Sequence, residues 1–292
     1  MGRVTRRHAV LRVAPGEAIR RADTLAVEEP LEIRLNGESY LVTMRTPGND
    51  VDLARGLLFS ERIITVRSDI ALARYCAGSG PDGVNSYNVL DVTLASQDSV
   101  PAAVRRNVMT TSACGICGTT SIDQVLRESP YDLDFEVRVA AELVLSAPMR
   151  LRQRQQAFDR TGGLHAAGLL PLDPKMVDSK LVSTEMVCVR EDVGRHNAVD
   201  KVIGWAIEQQ LLPLRQMILA VSGRASFELT QKAVLAGIPV LAAVSAPSSL
   251  AAELAEEAGL TLVGFVRGET MNVYTHPERI IWSTNGQIRL CT

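Results

Sequence analysis

"QMILAVSGRASFELTQKAVLAGIPVLAAVSAPSSLAAELAEEAGLTLVGFVRG", residues 216–268, decides the fold. Three apolar runs, Met217–Val221, Ile238–Val244 and Leu260–Val266, alternate with two amphipathic stretches, each closed by a glycine, Gly237 and Gly259. Short continuous apolar runs are strands buried on both faces, and the amphipathic stretches between them are crossover helices. The pattern extends upstream to about Lys180, where "EMVCVRED" is a strand and "NAVDKVIGWAIEQQ" a helix. The expected class is α/β (α+β overall), a sheet covered by helices. In such sheets ligands sit outside the carboxyl ends of the strands. Attention therefore falls on "REDVGRHN", "VSGRAS", "VSAPSS" and "FVRGET", each of which follows a strand.

The first part of the chain has another texture. In "LEIRLNGESYLVTMRT", Asn36-Gly37 separates two alternating runs, a two-residue hairpin signal. "NDVDLARGLLFSERI" is a helix capped by Asn49 or Asp50, and "VNSYNVLDVTL" a further strand. The polar stretch "ASQDSVPAAVRRNVM" is a linker. These features divide the chain into a smaller strand-rich subdomain over 1–108 and an α/β domain over 109–292.

A length of 292 residues with 46% hydrophobic and 22% charged residues supplies a real core, so disulfide staples are not needed. The five cysteines, Cys76, Cys114, Cys117, Cys188 and Cys291, are odd in number with one close pair. That is not a secreted disulfide framework, and a reducing cytoplasm is expected. A net charge of -2 provides no broad basic field for nucleic acid. The first residues, "MGRVTRRHAVLRVAPGEAIRR", lack the apolar stretch of a secretion signal, and no run is long enough to span a bilayer.

"TTSACGICGTTS", residues 110–121, holds Cys114 and Cys117 among glycines and small hydroxyl residues. Such a pair can hold a metal, cycle through a disulfide or carry sulfur. A structural zinc site needs a second close ligand pair, and none exists. A zinc deaminase needs H-x-E upstream of P-C-x-x-C, but the only earlier histidine is His8, in "HAV", and residue 113 is Ala. No metal is therefore expected. The following "GTTSIDQVLRES" starts a helix capped by Thr119 or Thr120, and a helix start lowers a thiol pKa below roughly 8.5. Either cysteine can serve on this reading, and a thiol-disulfide oxidoreductase stays open beside a sulfur carrier.

Taken together, "CGICG", "TGGLHAAGL", "EDVGRHNAVDKVIG", "VSGRASFELTQKAVLAGIPVLAAVSAPSSLA" and "FVRGETMNVY" resemble the formate dehydrogenase accessory sulfurtransferases, from about Leu31 to Tyr274. The resemblance implies a cytidine-deaminase-like fold without its zinc site. It implies a homodimeric sulfur carrier that takes persulfide sulfur from a cysteine desulfurase. The sulfur then passes to the molybdenum (or tungsten) bis-guanine-dinucleotide cofactor destined for formate dehydrogenase. Cys114 becomes the persulfide carrier and Cys117 its helper. A cofactor chaperone without sulfur transfer is the nearest alternative.

The nucleotide end is sought at the strand ends. Ser222, Gly223 and Arg224 precede a helix, where free amides and a guanidinium favour an anion. Arg195, His196 and Asn197 lie in a stretch dense in charge, with Glu191, Asp192, Asp200 and Lys201. Asn197 is a possible helix cap there, and Asp200 and Lys201 possible surface residues. His165 is flanked by Gly162, Gly163 and Gly168, which permit close approach of a ligand. Phe265 and Arg267 can stack on guanine and pair with phosphate. The resemblance implies cofactor binding by the whole run Phe265, Val266, Arg267, Gly268, Glu269 and Thr270. Ser245 and Ser248 are candidate caps of the next helix.

Overall fold

The computed structural model describes residues 4–76, 87–96, 122–133, 136–172 and 185–281. The chain forms two compact units, each assembled from separate segments. One takes Met1–Thr119, Gln155–Ala166 and Arg190–Leu211; the other takes Thr120–Arg154, Ala167–Val189 and Leu212–Thr292. A strand-rich N-terminal part and a helix-covered sheet are thus both present. The units are discontinuous, where the sequence pattern suggested a single boundary near residue 108.

The first unit contains two sheets. Strands β1 (Thr5–Ala14) and β2 (Glu17–Ala26) form an antiparallel hairpin. Strands β3 (Glu29–Leu35), β4 (Glu38–Arg45), β5 (Ile70–Tyr75) and β6 (Val89–Leu94) form a sheet of order β4-β3-β6-β5. The β3–β4 turn is Asn36-Gly37 with φ of 52° and 87°, the two positive values a type I′ turn requires. Both turn residues are tied to β6. Asn36 Oδ1 accepts from the Leu94 amide at 2.9 Å, and the Gly37 amide donates to Asp91 Oδ1 at 2.9 Å.

Three helices complete this unit: α1 (Asp50–Ser60), α4 (Gln156–Thr161) and α5 (Arg195–Glu208). Helix α1 follows Asn49 as expected, although Asn49 occupies the cap position at φ 55° without a side-chain cap bond. Helices α1 and α5 meet at a reciprocal glycine contact. A Cβ on Gly204 would lie 1.8 Å from the Asp52 carbonyl oxygen, and one on Gly56 would lie 1.9 Å from that of Asp200. Only glycine lets the two backbones touch.

The second unit is built on a six-stranded sheet of order β13-β12-β11-β10-β8-β9. Its strands are β8 (His165–Pro171), β9 (Cys188–Asp192), β10 (Met217–Val221), β11 (Val240–Ala243), β12 (Thr261–Arg267) and β13 (Thr270–Val273). The chain passes between the units within β8 and β9. Strands β10, β11 and β12 run parallel, while β8 and β13 pair antiparallel with β10 and β12. Every residue of β10 and β11 is buried, the signature of a sheet covered on both faces.

Helices α2 (Ile122–Glu128), α3 (Ala141–Gln153), α6 (Phe227–Leu235) and α7 (Ser249–Glu257) belong to this unit, α3 packing on β10, β11 and β12. A short parallel pair joins β7 (Val139–Ala140) to β14 (Ile280–Ile281). Gly237 and Gly259 end α6 and α7 as the sequence pattern requires, with φ of 71° and 72°. In each case the residue after the glycine closes a six-residue loop, Ile238 to the Ala233 carbonyl and Leu260 to that of Ala255. Among the described residues no helix is long and apolar enough to cross a membrane.

The glycine contact predicts a severe defect. In Gly204→Ala the new methyl meets backbone rather than a side chain that can rotate. Unfolding in urea should show a loss of about 3 kcal/mol or more. Wild-type stability in this variant would mean that α1 and α5 do not pack as described.

Candidate functional site

The strand ends of the second unit form one interlocked group of turns. Beyond β10 and β11 the chains stay paired: the Val244 amide donates to the Val221 carbonyl at 3.2 Å, Ser245 to Gly223 at 3.3 Å, and Ser248 to Ala225 at 3.0 Å. The Phe265 amide donates to the Ser245 carbonyl at 3.3 Å. The absence of a side chain at Gly264 lets β12 lie against Pro247 and the Ser245 carbonyl, which a Cβ would approach to 3.0 and 3.1 Å. Segments 221–226, 244–248 and 264–265 therefore make one scaffold that carries Arg224 and Phe265, with Arg267 two residues further along the chain.

Within this group the candidate residues separate by burial. Arg224, Arg267, Gly268, Glu269 and Thr270 are exposed, and Ser222 and Gly223 half-buried. Val266 is 1% exposed and faces the core, so its side chain is not offered to a ligand. Phe265 is 39% exposed on a backbone with φ 51°, at an irregularity in the β12–β13 register. A bulky residue in the left-handed region is strained, and strain of this kind gathers at ligand sites. Thr270 Oγ1 donates to the Arg267 carbonyl at 3.1 Å and fixes the turn.

The two helix starts differ. Ser248 Oγ accepts from the Ala251 amide at 3.2 Å and caps α7, as expected of one of its two candidate serines. Ser226 precedes α6 without a side-chain cap bond, although Glu228 stands in the first turn. Arg224 lies two residues before Ser226. Neither Arg224 nor Arg267 makes an ion pair among the described residues.

The remaining candidates lie in the first unit, where most of the charge-dense stretch proves structural. Asp192 is 0% exposed and Lys201 1%, with Nζ donating to Asp192 Oδ2 at 2.6 Å and to the Thr46 carbonyl at 2.8 Å. Asp192 also accepts from the amides of Thr46 and Gly194 at 3.1 and 2.8 Å. Asn197 is not the helix cap, since Gly194 holds that position. Its Nδ2 donates to Asp192 Oδ1 at 3.1 Å and to the Met44 carbonyl at 2.8 Å, which uses both amide hydrogens.

Asp200 and Lys201, read from sequence as possible surface residues, are buried; Ser60 Oγ donates to Asp200 Oδ1 at 3.2 Å. Glu191 caps a different helix, accepting from the Ala157 and Phe158 amides at 2.9 and 2.7 Å at the start of α4. Thr46 and Arg45 carry the network but were not singled out in the sequence. The alternation that buries Thr43 and Arg45 in β4 is the signal that could have found them.

Arg195, His196 and His165 are all half-buried. Arg195 Nε is buried without a hydrogen-bond partner among the described residues. Burial, and then the positive charge of Arg195, hold the His165 imidazole below its usual pKa, against a smaller opposite pull from Asp192. Both causes favour the neutral imidazole over the charged one. Gly168 serves packing rather than a ligand, because a Cβ there would lie 3.0 Å from the Cys188 carbonyl oxygen and from Leu151 and Met186. Cys114, Cys117 and the proposed caps Thr119 and Thr120 lie outside the described residues, as does most of the linker after Ser96. Among the described residues no cluster of His, Cys, Asp and Glu is suited to a metal ion.

The Arg195–His165 coupling is measurable. Replacing Arg195 with Gln removes one of the two causes that depress the histidine, so the His165 pKa should rise toward 6.5 in an NMR titration. A histidine depressed in the folded state is less protonated than in the unfolded chain. Its contribution is therefore lost as pH falls from above 6.5 through the folded value, and Arg195→Gln should weaken that acid sensitivity. An unchanged His165 titration would refute the coupling.

A family model described as the FdhD/NarQ family matches residues 26–281. The chain is 56% identical over 281 residues to the sulfur carrier protein FdhD of Nocardia farcinica, covering 96% of each chain. It is 57% identical over 279 residues to that of Mycolicibacterium paratuberculosis, covering 95% of this chain and 99% of the relative. For the Streptomyces coelicolor protein of the same name the identity is 54% over 283 residues. A solved structure described as a formate dehydrogenase accessory protein, from Desulfotalea psychrophila, superposes with a TM-score of 0.71 at 23% identity, covering 96% of this chain and all of that one, and so shares the fold. With the family match spanning both units, the chain belongs to the FdhD/NarQ family.

Proposed function

We propose that this chain is a sulfurtransferase of the carrier type. It accepts persulfide sulfur from a cysteine desulfurase and delivers it to the molybdenum bis-guanine-dinucleotide cofactor of formate dehydrogenase in the cytoplasm. The observation that carries the reading is the pair Cys114 and Cys117 in a chain more than half identical, over almost its full length, to proteins named sulfur carriers. The Cys114 thiolate attacks the outer sulfur of the desulfurase persulfide. The S–S bond breaks, the donor cysteine leaves as a thiolate, and Cys114 becomes a persulfide. Release follows when the Cys117 thiolate attacks the inner sulfur of Cys114. A Cys114–Cys117 disulfide forms and the outer sulfur departs as sulfide, its two electrons supplied by the dithiol.

The cofactor is the substrate of the second step. The scaffold of strand-end turns in the second unit is the proposed seat of its guanine-dinucleotide end. Arg224 and Arg267 are cations without ion pairs among the described residues, Arg224 stands two residues before the cap position of α6, and Phe265 is an exposed aromatic side chain. A homodimer is the proposed assembly.

Two experiments test the two halves. After incubation with a desulfurase and cysteine, the protein should carry one cyanolysable sulfur that Cys114→Ser lacks. Cys114→Ser should also abolish activation of formate dehydrogenase, while Cys117→Ser slows it. Full activation by both single variants would falsify the carrier reading, and a defined dithiol potential without labile sulfur would favour an oxidoreductase.

GDP, as the truncated nucleotide end, should bind the wild type. Arg224→Ala should weaken it by roughly ten- to a hundredfold and flatten its salt dependence. Phe265→Ala should weaken GDP with little change in the salt response, and Cys114→Ala should leave its affinity unchanged. Wild-type affinity in both Arg224→Ala and Phe265→Ala would exclude these turns as the nucleotide seat.

A further inference from the structure

The hairpin β1–β2 has a charge balance unlike the rest of the chain. Residues 5–26 hold five arginines, Arg6, Arg7, Arg12, Arg20 and Arg21, against Glu17 and Asp23, in a chain of net charge -2. The hairpin packs against α4. There a cavity of about 560 Å³ is lined by Thr5, Arg6, Arg7, Thr24 and Arg160. That volume falls within the range of small-molecule sites.

Each of these five side chains is a hydrogen-bond donor, and three are guanidiniums. Among the described residues no carboxylate lines the cavity. Asp23, the neighbour of Thr24, turns its Oδ1 to the Thr24 amide at 2.9 Å. None of Arg6, Arg7 and Arg160 makes an ion pair among the described residues. The position of the donors is fixed by ordinary structure: Arg7 stands opposite Thr24 in the hairpin register, and Arg160 lies in the last turn of α4 before Gly162 closes it at φ 66°. Three like charges around one cavity repel, and a multiply charged anion in their midst removes that penalty. Guanidinium forks match phosphate oxygens two at a time, and the threonine hydroxyls add single donors. Among the described residues no aromatic side chain lines the cavity, so the recognition is of phosphate rather than of a base.

We propose that this cavity is a second anion site, which binds a diphosphate-class ligand through its phosphate groups. Of its five described lining residues, Thr5, Arg6, Arg7 and Thr24 precede the segment 26–281 that the family model matches. None of the five belongs to the nucleotide seat proposed at Arg224 and Phe265, and the proposal does not rest on that reading.

Inorganic pyrophosphate is the probe, titrated calorimetrically into the full chain. Because the proposed nucleotide seat also takes phosphate, every arm carries Arg224→Ala. In that background pyrophosphate should bind at one site. Adding Arg160→Gln or Arg7→Gln should each lower the affinity by roughly ten- to a hundredfold. Arg12→Gln, on the same hairpin but outside the cavity, should change it little, and Arg160→Lys should keep part of the affinity. Thermal unfolding confirms that each variant is folded; Arg7, exposed on the hairpin, carries the test should Arg160→Gln fail to fold. The proposal is overturned by absence of binding, by an equal loss in Arg12→Gln, or by polyglutamate binding more tightly than pyrophosphate, which would make the cavity a protein contact.

Discussion

The buried pair of Lys201 and Asp192 is the constraint on which the first unit depends. Taking both charges out of water costs several kcal/mol each, and their 2.6 Å contact repays this only with further hydrogen bonds. Those bonds come from three places in the chain: the turn after β4 at Thr46, the end of β9, and the first turns of α5. The pair thus pins segments about 150 residues apart in sequence, such as Asn197 to Met44. Removing Lys201 alone would leave Asp192 as an uncompensated charge. The placement of Arg195 one residue beyond Gly194, and hence its influence on His165, is a consequence of this network.

A second buried pair extends the same logic to the sheet. Arg45 Nη2 donates to Asp50 Oδ2 at 3.0 Å, and the Tyr75 hydroxyl donates to the same oxygen at 3.0 Å. Arg45 ends β4, Asp50 opens α1 and Tyr75 ends β5. The loop 46–49 is therefore held from both sides, by the Asp50 pair before the helix and by the Lys201 contact to the Thr46 carbonyl. Burial and the Asp50 charge push the Tyr75 phenol up, which keeps it a donor.

The parallel sheet was legible in the sequence because its physics is local. Continuous apolar runs, glycines at helix ends and the Asn36-Gly37 turn each fix geometry within a few residues, and each does so in the structure. The burial of Asp192, Asp200 and Lys201 in the charged stretch 191–201 was not legible, for the opposite reason. Charge density signalled ligand chemistry, but the partners of Asp192, Asn197 and Lys201 are backbone groups of Met44 and Thr46, which no local pattern connects to it. Gly56 and Gly204 are likewise silent in sequence, since a helical glycine shows its purpose only against the helix it touches. The discontinuous make-up of the units was hidden for the same reason. At the candidate site, Arg224, Phe265 and Arg267 were legible from their place after strands, whereas Val266 was separable from them only by burial.

Partner accounting separates arginines tied into the fold from arginines without an ion pair, where residue type does not. Arg45 is consumed by Asp50, Arg55 by Glu208 and Arg190 by Asp52, while Arg279 donates to the Gly259 and Leu133 carbonyls. Each of these cations is tied to a partner within the fold. Arg224 and Arg267 in one unit, and Arg6, Arg7 and Arg160 in the other, make no ion pairs among the described residues. A guanidinium left in water on a flexible stem contributes little to stability. On a turn knitted by backbone bonds, or in a hairpin and helix that bring several such residues to one cavity, the backbone carrying it is placed before any ligand arrives. An anion then has only the side chains left to order, at roughly 0.5–1.5 kcal/mol each, which charge-assisted hydrogen bonds can offset.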